Sequence, residues 1–171
     1  WGPGQTTPAG RDRNPAGPQF KTFDDFVAQR PAGTPFCFWF GSSDPHRPYE
    51  AGTGVTSSDA GGKVQLPEFL PDTPEVRSDL LDYYYEVERF DRDLGLILAA
   101  LERAGELDNT IVIVTSDNGL PFPRAKATVY DGGVRVPLAI RWPGVVRPGA
   151  TVDALVSLTD ITARKKAEAY L

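Results

Sequence analysis

From residue 74 to residue 104 apolar side chains recur at intervals of three and four: Tyr83, Val87, Phe90, Leu94, Ile97 and Leu101. That spacing predicts one long helix with a single face turned to a core. Thr73 is a good N-cap, Pro74 suits the first helical position, Glu75 sits in the first turn and Gly105 supplies the stop. Asp91 and Gly95 interrupt the stripe and read as structural, Gly95 as a place where another backbone comes close. A shorter helix is predicted before it, where Phe20, Phe23, Phe26 and Val27 share helical spacing and Pro31 and Gly33 follow as breakers. Residues 34–41, "TPFCFWFG", form an aromatic run that predicts a central strand. Residues 110–116, "TIVIVTS", are β-branched without alternation, as expected of a strand covered on both faces in a parallel sheet, and "VPLAIRW" at 136–142 is a second such run.

This alternation predicts an α/β fold with a central, largely parallel sheet flanked by helices. Residues 1–19 lack periodicity and are rich in Gly and Pro, so they are expected to be irregular. Residues 42–71, dominated by Gly, Pro, Ser and Asp, predict a long loop of the kind that carries function. The chain of 171 residues suffices for one domain with a core. Its 23 acidic and 18 basic side chains leave a net charge of −5, which argues against nucleic acid as a partner. No apolar run reaches the roughly 18 to 20 residues that span a bilayer, so no membrane partner is expected. Cys37, the single cysteine, reads as a small buried hydrophobe.

Candidate chemistry gathers behind the strand at 110–116. In open α/β sheets ligands collect outside the carboxyl ends of strands, and "SDNG" stands at that end. Asp117 offers a carboxylate and Asn118 an amide oxygen, hard donors of the type that Ca²⁺ and Mg²⁺ prefer, and Gly119 permits a sharp turn. The plainer alternative is an Asp-Asn-Gly turn with no ligand. Two residues also fall short of the roughly six to eight oxygens around Ca²⁺. Lys126, with Arg124 near it, places positive charge beside this pair, an arrangement that makes sense with a sulfate or phosphate group between them. Taken singly, Lys126 reads most simply as a solvated surface lysine. His46, in "DPHRPY", either bonds within its proline-fixed loop or donates to an anion or leaving oxygen.

Three motifs in order, "DPHRPY", "TSDNGLPFP" and "KATVYDGGVRVPLAIRWPG", with the long helix between the first and second, resemble the sulfatase family of the alkaline phosphatase superfamily. "DPHRPY" and "SDNGLPFPRAK" are most similar to its sulfamidase, or heparan N-sulfatase, branch. The resemblance implies that Asp117 and Asn118 are ligands of an active-site Ca²⁺. It also implies that His46 contacts the sulfate or its leaving group and that Lys126 binds a sulfate oxygen. In the sulfamidase branch the last position can be arginine. Arg47 and Arg124 have no equally firm counterpart and are candidates for meeting an acidic sugar.

The resemblance further implies a formylglycine nucleophile made in Cys/Ser-x-Pro-x-Arg. Cys37 is followed by Phe38-Trp39-Phe40, so that nucleophile is expected outside this chain. The expectation is therefore an internal fragment: an irregular segment at 1–19, a partial sulfatase domain at 20–162 and an atypical charged tail at 163–171. The intact enzyme would hydrolyse sulfate esters or N-sulfates on a sulfated small molecule or glycan, with the fragment itself inactive. A periplasmic, secreted or lysosome-like address rests on the resemblance alone. The competing readings are a phosphoesterase of the same superfamily, against which a single histidine argues, and a non-catalytic carbohydrate-binding or interaction module.

Overall fold

A computed structural model describes residues 19–57 and 63–153. The irregular first segment, apart from Gln19, and the charged tail lie outside these residues. In order come α1 (Phe23–Gln29), α2 (Thr53–Ser57), α3 (Pro74–Arg103), a 3₁₀ turn (Leu107–Asn109), β1 (Val112–Thr115), α4 (Asp131–Val134) and β2 (Leu138–Arg141).

The long helix is α3, 30 residues, and it begins and ends where its capping residues stand. The Thr73 hydroxyl accepts from Val76 N–H, Pro74 opens the first turn, and Gly105 takes a φ of 69° just past the end. Its buried set differs from the predicted stripe. Ile97 and Leu101 are buried as expected, whereas Val87 is 38% exposed, and Leu80 and Leu81, outside the stripe, are buried as well. Asp82 and Glu86 are buried beside them. Two separate surfaces cover α3: the apolar half faces the aromatic core, and the acidic half faces the loop at 44–54.

The core joins α1 to the second half of α3. Phe23, Ile97, Ala100 and Leu101 are buried together, with Phe26, Val27, Phe36, Phe38, Phe40, Leu98, Leu107 and Val112 packed around them. Edge-on and tilted ring pairs carry much of this contact, including Phe23 on Phe38 at 4.9 Å and Phe26 on Phe38 at 4.8 Å. In α1 the Thr22 hydroxyl accepts from Asp25 N–H at 3.0 Å, and at the far end Arg30 reaches Glu106 at 2.6 Å, tying α1 to the link between α3 and β1.

Residues 34–41 are not a strand; they have no ladder partner among the described residues. Burial nevertheless alternates along them. Phe36, Phe38 and Phe40 turn inward, held by ring packing instead of main-chain bonds, while Trp39 stands 81% exposed and Cys37 is exposed as well. The buried role expected of Cys37 is therefore overturned, because the three phenylalanines occupy every inward position. The long loop contains α2, which no periodicity predicts.

The described sheet has two strands and they run antiparallel, Ile113 opposite Ile140 and Thr115 opposite Leu138. The parallel arrangement expected of these two strands fails because their connection carries no crossover helix. It folds back on itself, Gly119 N–H donating to the Gly133 carbonyl at 2.9 Å. Nor are the strands covered on both faces. Val112 and Val114 are partly buried, but Ile113 is 48% and Ile140 39% exposed on the other side.

Two glycines of equal appearance in sequence differ in structure. A Cβ on Gly54 would overlap the Leu81 main chain, where α2 lies against α3, whereas one on Gly95 meets nothing within 4 Å. The close approach expected at Gly95 is absent. Gly54→Ala is expected to destabilise by about 1–3 kcal/mol. Gly95→Ala should stabilise by about 0.5–1 kcal/mol through helix propensity. Urea denaturation of both variants checks the opposite signs.

Candidate active site

The SDNG turn follows β1 directly. Ser116 Oγ donates to the Asn118 carbonyl at 2.7 Å, and Asn118 Nδ2 donates to the Gly119 carbonyl at 2.7 Å, which leaves the Asn118 side-chain oxygen available. Asp117 is exposed, and its carboxylate has no hydrogen-bond or ion-pair partner among the described residues. Behind the turn the packing is backbone on backbone. A Cβ on Gly119 would overlap the Gly132 carbonyl, and one on Gly133 would overlap the carbonyls of Ala125 and Thr128. The "DGG" of α4 thus serves to let two main chains touch.

Lys126 and Arg124 flank Ala125, which is fully buried. Lys126 N–H donates to the Leu120 carbonyl at 3.1 Å, closing residues 120–126 into a compact loop, and both cationic side chains are exposed. Arg124 holds a φ of 64°, an uncommon conformation for a non-glycine residue. His46 is exposed, and its Nδ1 lies 2.7 Å from the Arg47 carbonyl. A carbonyl only accepts, so Nδ1 carries the proton and Nε2 is the ring's open position.

Arg47 brings the two motif regions together. Its guanidinium pairs bidentately with Asp79 of α3, Nη1 to Oδ1 at 2.8 Å, while Nε donates to the Pro121 carbonyl at 3.1 Å. It also lies 4.6 Å from the Tyr49 ring centroid and 4.8 Å from that of Phe122. The hydrogen bond and charge of Asp79 keep Arg47 firmly protonated, and burial pushes the Tyr49 phenol up to about 12. The residue after His46 is thereby bonded to the loop that joins Asn118 to Lys126. Arg47 is thus paired with Asp79 and bonded to the Pro121 carbonyl, and its guanidinium remains partly exposed.

His46, Asp117, Asn118 and Lys126 therefore stand on two loops in direct contact, each with its side chain at the surface or only partly covered. The clefts nearby have other walls. One of about 600 Å³ is lined by Arg47, Tyr49, Ser78, Asp79 and Asp82, among others; a second, of about 420 Å³, by Arg124 and Tyr130 with their neighbours. Among the described residues no group of three or more His, Cys, Asp or Glu side chains is set to hold a metal. Asp117 and Asn118 fit a hard cation in donor type and supply only part of its shell.

Sequence reasoning missed the acidic half of α3. Asp79, Asp82 and Glu86 lie at spacings of three and four on one face, a periodic signal as regular as the apolar one. Asp82 accepts from Gly52 N–H at 2.9 Å and Gly54 N–H at 2.7 Å, pinning α2. Glu86 binds Arg89, which also reaches Asp44 at 3.4 Å, two residues before His46.

One further string needs stating: Ser43-Asp44-Pro45-His46-Arg47 spells Ser-x-Pro-x-Arg, so the serine form of the formylglycine pattern does occur. Its residues are engaged otherwise. The Ser43 carbonyl accepts from His46 N–H at 2.7 Å, Asp44 pairs with Arg89 and Arg47 with Asp79, while no base or cation faces the Ser43 hydroxyl among the described residues.

Comparison with known proteins completes the description. The sequence model of the sulfatase family matches residues 18–164. The chain belongs to the sulfatase family. It is 44% identical over 100 residues to human N-sulphoglucosamine sulphohydrolase, covering 58% of this chain and 20% of that protein. It is 35% identical over 98 residues to an ulvan-active sulfatase of Formosa agariphila, covering 57% and 16%. An N-acetylglucosamine-6-O-sulfatase of Bacteroides thetaiotaomicron is 38% identical over 78 residues, covering 43% and 14%. The chain thus spans about a fifth or less of the length of these sulfatases. It resembles the sulfamidase branch, and the family carries the alkaline phosphatase-like α/β fold.

Two outcomes test this geometry. Arg47→Ala is expected to cost about 1–3 kcal/mol, chiefly from the two ring contacts and the partly buried carbonyl bond, since the ion pair is more than a third exposed. Arg47→Lys should recover little, having no planar fork; chemical denaturation measures both. The second concerns Glu86. Burial, the neighbouring Asp44 charge and a hydrogen bond with Asp44 raise its carboxyl above the ordinary 4.5, against the opposing Arg89. The native state then keeps a proton that the unfolded chain has released, so stability falls as pH rises from 4.5 through the raised value. Relative to the parent, Glu86→Gln should gain stability as pH is raised through that window, read from urea curves at a series of pH values.

Proposed function

We propose that this chain carries part of the active site of a sulfatase that hydrolyses sulfate esters or N-sulfates on a sugar. The observation that supports this most is the Arg47 bridge, which joins the His46 loop to the loop bearing Asp117, Asn118 and Lys126. Unrelated surface residues would have no reason to be tied in this way.

In this reading Asp117 and Asn118 contribute oxygens to a Ca²⁺ ion whose remaining ligands lie outside this chain. The ion, when bound, supplies positive charge for the sulfuryl oxygens. Lys126 adds an ammonium group to the same oxygens as charge grows on them. His46, anchored through Nδ1, keeps Nε2 toward the leaving group and hands it a proton when the ring is in its imidazolium form. The formylglycine nucleophile is assigned to a part of the enzyme outside this sequence. Cleavage would form a new S–O bond from the attacking oxygen as the S–O or S–N bond to the sugar breaks; the sulfuryl group passes to that oxygen and the sugar leaves with the proton from His46.

The partial ligand set makes a direct forecast. Calorimetry of the 171-residue chain should register Ca²⁺ binding no tighter than about 10⁻⁴ M. A tight one-to-one event abolished by Asp117→Ala contradicts the assignment of the missing ligands. On sulfated heparin resin, Lys126→Ala and His46→Ala should each elute at lower salt than the parent; unchanged elution of both points to a carbohydrate-binding surface elsewhere.

A further inference from the structure

His46 sits between two anchored neighbours, and both anchors lie on α3. Downstream, Arg47 pairs with Asp79. Upstream, Asp44 reaches Arg89 at 3.4 Å, and Arg89 in turn holds Glu86 at 3.0 Å. Asp79 and Glu86 stand two turns apart on one face of the helix, so the histidine turn spans about 10 Å of α3 like a staple. Within it the His46 N–H donates to the Ser43 carbonyl at 2.7 Å and the Asp44 N–H to Ser42 Oγ at 3.0 Å.

The two anchors differ in proton count. At the downstream end one guanidinium faces one carboxylate. At the upstream end Arg89 faces two, Asp44 with its side chain 13% exposed and Glu86 with its side chain 9% exposed, and these two are hydrogen-bonded to each other. Ionised carboxylates only accept, so that bond requires a proton on one of them. The other groups nearby bring no positive charge. Asp82, one turn back on α3, is engaged by the Gly52 and Gly54 amides. The Tyr49 phenol, whose hydroxyl donates to the Pro45 carbonyl at 3.0 Å, lies within the field of Glu86 and stays neutral. Burial and the Asp44 charge hold the Glu86 carboxyl above its ordinary value, the direction a shared proton demands.

We propose that Asp44 and Glu86 are positioning residues for His46, a carboxyl pair sharing one proton beneath Arg89 that fastens the upstream end of the histidine turn to α3. When the proton leaves for solvent, two carboxylates oppose one guanidinium, and Asp44, on the loop, gives way before Glu86, on the helix. The downstream anchor needs no proton, so the turn pivots there and the His46 ring shifts. In the proposed reaction His46 acts as an imidazolium, so falling pH both charges the ring and seats it. The proposal rests on the sulfatase reading for the role of His46, while the seating itself does not.

His46 is the chain's single histidine, so its ring nitrogens are assigned without ambiguity in nitrogen-15 NMR spectra of the full chain. In a pH titration of the parent the ring shifts should follow two proton steps, the ring's own and that of the carboxyl pair. In Glu86→Gln the side-chain amide donates to Asp44 at every pH, and one step should remain. In Asp44→Asn the Glu86 carboxyl loses its like-charged neighbour, so the second step should vanish or move to lower pH. A parent with a single step, a second step that survives Glu86→Gln, or one that stays in place in Asp44→Asn overturns the proposal. The unfolding midpoint of each variant is checked alongside, and either variant decides the matter should the other fail to fold. No ligand enters these spectra. Failure of the sulfate assignment, read from the heparin elution of His46→Ala, therefore leaves the seating standing, and a single-step parent leaves that assignment standing.

Discussion

The arrangement of the site depends on one guanidinium. Arg47 is at once the partner of a helix carboxylate, the donor to a loop carbonyl and the filling between two aromatic rings. It is the direct polar link between the proline-fixed loop of His46 and the loop that follows β1, beside the Tyr83 ring, which packs on Tyr49 and Phe122. An ion pair this exposed is worth little as a charge attraction. Its value is geometric: a planar fork satisfies two directions of hydrogen bonding while its faces remain free to stack.

The carboxylate end of that contact belongs to α3, which works as a two-sided spine. Toward α1 it offers Ile97, Ala100 and Leu101 to a shell of phenylalanines. Toward the functional loops it offers Asp79, Asp82 and Glu86, and each takes a different partner: a guanidinium, a pair of main-chain amides, and Arg89 beside Asp44. Burying carboxylates is costly unless they are bonded, so a helix face that buries Asp82 and Glu86 is committed to the groups that satisfy them. Those loops are therefore held by polar contacts, where the aromatic side is held by area.

How much of this was legible follows from the same division. The long helix and its ends could be read because capping and periodicity are local. The SDNG turn and the histidine loop could be singled out because short polar strings behind a β-branched run are local as well. Strand direction was not legible, since it depends on how residues 116–137 return, and that is decided by a Gly119 to Gly133 contact that no periodicity reports. Hydrophobic neighbours suggest burial of Cys37, but alternation with the inward Phe36, Phe38 and Phe40 turns it outward. Arg47 looked like a ligand group because its partner Asp79 stands 32 positions away. The Ser-x-Pro-x-Arg string at 43–47 is legible in the sequence, but the partners of Asp44 and Arg47, Arg89 and Asp79, are not.

The glycine contact behind the SDNG turn separates two duties that active sites commonly merge. Main-chain contact between Gly119 and the Gly132–Gly133 pair sets where the turn sits, and the Ser116 and Asn118 side chains brace it from within. The Asp117 carboxylate takes no part in either. A change of donor atom at that position leaves the mount untouched, whereas a side chain at either Gly119 or Gly133 would wedge the two main chains apart.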